Sequence, residues 1–178
     1  MYNEPGFKPA QKLAILYVVF MILYGAYRAF PVFPLSIISG ITESNFQHYK
    51  AAFFTFIIVD LIEFLVFRKR IGSRSAFWYG RLLTAVFTPW AIFLLWYVAP
   101  AVYGKFPNVA LEIIYANLMT ILALVSMLIV ENSFLRMPFD REMKIVVWAL
   151  LLISILLYMI FTFSHLPWAD VFTEPQWK

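Results

Sequence analysis

Residues 145–163 read IVVWALLLISILLYMIFTF and contain no charged side chain. As an α-helix this stretch would be about 28 Å long, which is close to the ~30 Å hydrocarbon core of a bilayer. A continuous apolar run of this length is typical of a transmembrane helix and not of a helix in a soluble core. This stretch therefore predicts that the protein folds in a membrane.

The composition of the whole chain leads to the same class. Hydrophobic residues make up 63% of the 178 residues and charged residues only 13%. A soluble domain of this size could not bury so much apolar surface, so its solvent must be lipid. Cysteine is absent, which excludes disulfides, thiol catalysis, iron–sulfur clusters and cysteine-ligated zinc.

Apolar runs separated by short polar connections predict an all-α, polytopic membrane bundle of five transmembrane helices in one domain, 1–178. The segment 30–40 contains Pro31, Pro34 and Gly40, so we expect an interfacial loop there. The predicted helices cover residues 12–29, 44–67, 77–98, 109–130 and 144–164, and a polar tail covers residues 165–178.

The lysines and arginines predict the orientation of this bundle. Five crossings place ten of them on one side and four on the other, and the side with more positive charge is normally cytoplasmic. The N-terminus is then cytoplasmic and the C-terminus outside. Because the basic residues lie between apolar runs, the net charge of +4 indicates membrane orientation. Membrane lipids are the predicted partners, and no nucleic acid is expected.

The densest polar stretch is ITESNFQHYK, residues 41–50, at the start of the second predicted helix. Ser44 and Gln47 have the spacing of a capping box. His48 is a candidate acid–base group, since histidine changes charge near neutral pH and Glu43 would tune it. The competing interpretation is structural, because helix starts near headgroups attract capping residues and Lys50 would reach lipid phosphate.

The predicted topology brings the C-terminal tail to the same membrane face as His48. The two histidines and two carboxylates there are a candidate site for a divalent metal such as zinc, whereas haem ligation is disfavoured because both histidines lie at the membrane edge. A solvated tail is the alternative. The candidate catalytic residues, which are also the candidate metal ligands, are His48, Glu43, His165 and Asp170, and the candidate ligand-binding residues are Lys50, Arg28, Glu112 and Ser44.

A second polar feature lies inside the second predicted helix. Asp60 and Glu63 are one turn apart and share a face, and acidic groups within a membrane are functional candidates. Arg81 lies at similar depth, so a structural ion pair competes with a proton or cation relay. Glu131 and Asn132 are expected to mark a solvated helix end.

The stretch 42–50 resembles the motif Asn-Glu-Ser-x-Trp-Glu-His-x-Lys of an uncharacterised family of small prokaryotic polytopic membrane proteins. The family's C-terminal His-x-Pro-x-x-x-Asp-Pro segment is similar to residues 165–170, with the aspartate one place early and no proline after it. Gln47 departs from the first motif and removes a carboxylate beside the histidine. The resemblance implies a prokaryotic cytoplasmic membrane and a pairing of the two histidine segments, but no activity. The residues that match are Glu43, Ser44, His48, Lys50, His165, Pro167 and Asp170.

Three functions remain open at this point. The first is a pocket at the extracytoplasmic face that binds a polar ligand or lipid headgroup, in the form of an enzyme acting on a lipid or isoprenoid with His48 as acid–base group. The second is a small ion- or proton-coupled carrier that uses Asp60 and Glu63. The third is a non-catalytic accessory subunit. A homo-oligomer and a larger membrane complex both stay open.

Overall fold

The structure is a computed structural model that describes residues 6–104, 106–164 and 169–173, without the side chain of Asp170. These ranges contain six α-helices, one short 3₁₀ turn and no strand, so the predicted all-α class is confirmed. The elements are α1 (Pro9–Ala29), α2 (Phe33–Ile38), α3 (Asn45–Phe67), α4 (Arg74–Tyr103), α5 (Val109–Phe134), α6 (Arg141–Phe163) and the 3₁₀ turn Asp170–Phe172.

Four of the helices, α1, α4, α5 and α6, are long and apolar enough to cross a membrane. Their outward faces expose large apolar side chains, for example Leu94, Ile129 and Ile153. Such a surface would associate in water but suits lipid. The chain thus has the architecture of a multi-pass integral membrane protein whose helices contact lipid.

Among the long helices, α3 has the largest share of buried residues. It packs between α1 and α4, while α5 contacts both of those helices and α6 lies against α4. Phe53, Phe56 and Val59 of α3 are fully buried and form the main core cluster together with Leu16 of α1 and Leu124 of α5. The inner face of α3 is therefore covered on all sides by the other helices.

Contacts at the helix ends show that successive long helices run in opposite directions. Arg81, near the start of α4, contacts Glu63 near the end of α3 and Glu131 near the end of α5. We call this side of the bundle the Arg81 end. At the opposite side, Phe46 at the start of α3 lies 4.9 Å from Phe172 in the 3₁₀ turn, measured between ring centroids. We call this side the His48 end, because the first turn of α3 also carries His48.

Three local features differ from the sequence-based expectations. The expected interfacial loop contains the short helix α2, and α4 continues through Pro100 to Tyr103, beyond the predicted end at residue 98. Ser44 is the N-cap of α3, but its side chain makes no capping hydrogen bond. Its hydroxyl instead lies 3.1 Å from the Thr42 hydroxyl. The predicted capping box is wrong, because the Ser44 hydroxyl contacts the Thr42 hydroxyl and not a backbone N–H group of α3.

The contact between α4 and α5 can be tested at Gly80. A Cβ atom there would lie 3.1 Å from the backbone N of Leu135, whereas a Cβ at Gly25 in α1 would have no neighbour within 4 Å. Alanine favours a helix by about 0.5–1 kcal/mol over glycine, but overpacking costs about 1–3 kcal/mol. We expect Gly80→Ala to lower the melting temperature in detergent and Gly25→Ala to preserve or raise it. Equal shifts in the two variants would contradict this packing.

Candidate functional site

A cavity of about 270 Å³ opens at the His48 end of the bundle, between α1, α3, α4 and α5. Its apolar wall includes four aromatic side chains, and its polar wall carries two glutamates and one histidine. The aromatic residues are Phe20, Tyr24, Tyr49 and Trp96, and the polar residues are Glu43, Asn45, His48, Glu112, Asn117 and Thr120. The cavity therefore combines an apolar wall with a few polar groups, as small-molecule sites usually do.

His48 is held in one orientation by two contacts. Its Nδ1 lies 3.1 Å from the backbone oxygen of Ser44, and its ring stacks on Tyr24 at 4.2 Å between centroids. Because a carbonyl oxygen can only accept, Nδ1 carries the proton of the neutral ring and Nε2 carries the lone pair. Within the described ranges, Nε2 has no hydrogen-bond partner. It is left to accept a hydrogen bond or to bind a metal.

The two glutamates of the cavity have different surroundings. Glu43 forms an ion pair with Arg28, which is about half exposed and does not line the cavity. Glu112 lies in the first turn of α5, where the helix dipole stabilises a negative charge. No ion pair to Glu112 is found among the described side chains. Arg28 is thus a partner of Glu43, and Glu112 is the carboxylate without a cation of its own.

Lys50 and Ser44 do not line this cavity. The Lys50 side chain is fully buried on another side of α3, where its Nζ donates to the backbone oxygen of Ser36 at 2.8 Å and to the Thr162 hydroxyl at 3.0 Å. Two residues correspond to about 200° around a helix, so Lys50 and His48 face opposite directions. Lys50 and Ser44 thus lie outside the cavity that contains His48, and their role in ligand binding stays a prediction.

The predicted partners of His48 in the tail cannot be placed in the same way. His165 lies outside the described residues, and only the backbone of Asp170 is described, in the 3₁₀ turn. The turn packs on the start of α3 through Phe172 and Phe46. A shared catalytic or metal site of His48 and Glu43 with His165 and Asp170 therefore stays a prediction.

A network of five charged side chains is buried at the Arg81 end. Lys12 Nζ lies 2.7 Å from Asp60 and Glu131 and 3.0 Å from Glu63. Arg81 contacts the same three carboxylates, at 3.2 Å for Asp60 and 2.9 Å for Glu131, with Glu63 its third partner. The network joins α1, α3, α4 and α5. Three carboxylates facing two cations leave one negative charge in excess.

Sequence reasoning found Asp60, Glu63 and Arg81 but missed the other two members. Glu131 was expected at a solvated helix end, yet it is buried with 5% of its surface exposed. Lys12 was counted only as a topology signal, yet it is 3% exposed. Charge balance in the sequence could have indicated the missing cation, because two buried acids beside a single arginine require a second cation at the same depth.

The three carboxylates of the network also have the spacing of metal ligands, with one oxygen from each lying within 4.8 Å of the others. The Lys12 ammonium and the Arg81 guanidinium already bind these oxygens. The backbone N–H of Phe7 donates to the remaining oxygen of Glu63 at 2.7 Å. Saturation by these donors favours a structural ion network over a metal site.

Comparisons of this chain with protein-family models, with curated proteins and with solved structures gave no match. The roles of its residues therefore rest on their geometry and chemistry.

The excess negative charge of the network predicts an asymmetry between its members. Lys12→Met would leave three carboxylates facing Arg81 alone, and an uncompensated buried charge costs about 3–5 kcal/mol. Glu131→Gln would leave two carboxylates and two cations, so we expect a smaller loss of unfolding free energy. The measurement is the free energy of unfolding in detergent, obtained by titration with increasing amounts of SDS. Arg28→Met, at the half-exposed ion pair, is the control and should cost less than about 1 kcal/mol. Equal losses for Lys12→Met and Glu131→Gln would contradict charge balance as the cause.

Proposed function

We propose that the protein is a five-span integral membrane protein that binds an amphipathic ligand in the cavity at its His48 end. The observation that carries this proposal is His48 itself. Its ring is held by a hydrogen bond at Nδ1 and by stacking on Tyr24, while Nε2 has no hydrogen-bond partner in the described structure. A histidine fixed in one tautomer inside a cavity is preorganised for a ligand. An apolar wall formed by membrane helices suits the apolar part of such a ligand.

The fifth span in this proposal is α3. With 23 residues it is as long as α6, and it runs between the two ends of the bundle. It carries three charged side chains, Lys50, Asp60 and Glu63, and all three are buried between helices. Charged side chains inside membranes face the bundle interior in this way. The Lys and Arg distribution then places the Arg81 end in the cytoplasm and the His48 end outside.

In this proposal the residues of the cavity have separate roles. His48 accepts a hydrogen bond from the ligand and, in the enzymatic form of the proposal, takes its proton as a general base acting on a lipid or isoprenoid. Glu43 is positioned by Arg28, and Glu112 offers a second carboxylate. The carrier alternative receives less support, because Asp60 and Glu63 are already paired with Lys12 and Arg81.

Single cysteines test the number of spans, since the sequence contains none of its own. Val32 lies exposed between α1 and α2, and Gly72 lies in the connection from α3 to α4 with no neighbour within 4 Å of an added Cβ. On intact cells, a membrane-impermeant maleimide should label Val32→Cys and leave Gly72→Cys unlabelled. Labelling should reverse in inverted vesicles. Labelling of both sites from the same side would show that α3 does not cross the membrane.

Ligand binding can be tested by native mass spectrometry of protein released from nanodiscs that contain a total lipid extract of the expression host. Ala116→Phe would fill the cavity, and His48→Gln would replace the Nε2 acceptor. We expect Ala116→Phe to abolish the bound species and His48→Gln to reduce its occupancy up to about tenfold, the value of one hydrogen bond. Ala149→Phe, on the exposed face of α6, is the matched control and should behave as wild type. Equal occupancy in all four proteins would disprove the proposed function.

A further inference from the structure

The charge of the cavity restricts the chemistry of its ligand. Two carboxylates line it, and none of the lining side chains in the described structure is a lysine or an arginine. Arg28 compensates Glu43 from outside the cavity, and Lys50 is turned toward Ser36 and Thr162. Among the described side chains the cavity therefore presents net negative charge, which would repel a phosphate or carboxylate ligand.

The hydrogen-bonding groups of Glu112 and His48 have the same preference. His48 Nε2 is an acceptor, and ionised carboxylates only accept. The amide of Asn117 is largely used, since its oxygen accepts from the Tyr17 hydroxyl at 2.6 Å and one of its two N–H groups donates to the Ile113 backbone oxygen at 2.7 Å. The groups that remain for a ligand at Glu112 and His48 accept hydrogen bonds, so the ligand must supply donors.

The aromatic wall adds a third constraint. Phe20, Tyr24, Tyr49 and Trp96 line the same cavity as the two glutamates. The faces of aromatic rings attract cations, most strongly where water is excluded. Aromatic rings next to carboxylates are the usual surroundings of a bound ammonium group, whereas the guanidinium and lysine groups that bind phosphates are turned away here.

We infer that the cavity binds a primary ammonium group, with Glu112 as the counter-ion and His48 Nε2 as a hydrogen-bond acceptor. The group is carried either by the headgroup of an ethanolamine phospholipid, whose phosphate would lie outside the cavity, or by a free organic amine. This inference rests on the proposed function, because it names the chemical class of the ligand for the same cavity. A volume of about 270 Å³ accommodates a small headgroup, while the chain of the ligand would extend between the helices.

The test uses three probes with the same chain and different head charge, decylammonium, decan-1-ol and decanoate, added to the full-length protein in nanodiscs. Binding is followed by tryptophan fluorescence, and Trp96→Phe identifies the signal that comes from the cavity. We expect decylammonium to bind at least tenfold more tightly than the other two probes. Glu112→Gln keeps the shape and removes the charge, so it should weaken decylammonium binding about 10- to 100-fold.

Glu142→Gln is the matched control for this substitution. Glu142 is also a glutamate in the first turn of a helix, but it is exposed and lies in α6 at the Arg81 end. It should leave the affinity for decylammonium unchanged. Competition distinguishes the two sources, because phosphatidylethanolamine in the nanodisc, compared with phosphatidylglycerol, should displace the probe if the ligand is a lipid. Free ethanolamine should displace it if the ligand is a soluble amine.

The outcomes separate this inference from the proposed function. If decan-1-ol or decanoate binds as tightly as decylammonium, and Ala116→Phe blocks that binding, the cavity binds ligands but the ammonium assignment is wrong. If Ala116→Phe changes the binding of none of the three probes, the cavity is not a ligand site and the proposed function fails with the inference.

Discussion

The buried ion network at the Arg81 end is the constraint on which the rest of the structure depends. A charged side chain left unpaired at the centre of a membrane helix costs about 3 kcal/mol. Lys12, Arg81 and their three carboxylates avoid this cost only when α1, α3, α4 and α5 meet at one depth and in one rotation. Apolar contacts between membrane helices have no such directional requirement, since lipid is an equally good apolar partner. The network therefore sets the register of the four helices.

The helices that are tied together by charge at the Arg81 end are also those that line the space around His48. The two ends differ in how their acidic groups are paired. At the Arg81 end every carboxylate has a cation partner. At the His48 end, within the described structure, Glu112 has no cation partner and His48 Nε2 has no hydrogen-bond partner. This contrast is why we assign structure to the first group and ligand binding to the second.

Helix α6 shows that apolar character alone does not bring a helix into the ion network or the cavity wall. It is free of charge from residue 145 to 163 and has the most apolar spanning window, yet it lies outside the network. Its polar links to the other helices are single hydrogen bonds, from Trp148 to the Tyr79 hydroxyl at 3.2 Å and from Lys50 to Thr162 at 3.0 Å. The less apolar α3 is the more buried helix because its charged groups must be enclosed by protein.

Sequence by itself determined the all-α membrane class, the approximate positions of five long helices, and the placement of Glu43 and His48 at the start of one of them. Apolar runs and their breaks carry that information directly, because a bilayer requires a minimum length of apolar helix. The direction in which each side chain points was decided only by the tertiary structure. In lipid both the inner and the outer faces of a helix are apolar, so the pattern of hydrophobic residues does not mark the inner face. For that reason the sequence did not predict that Lys12 and Glu131 belong to the ion network. Nor did it predict that Lys50 points away from the cavity that contains His48.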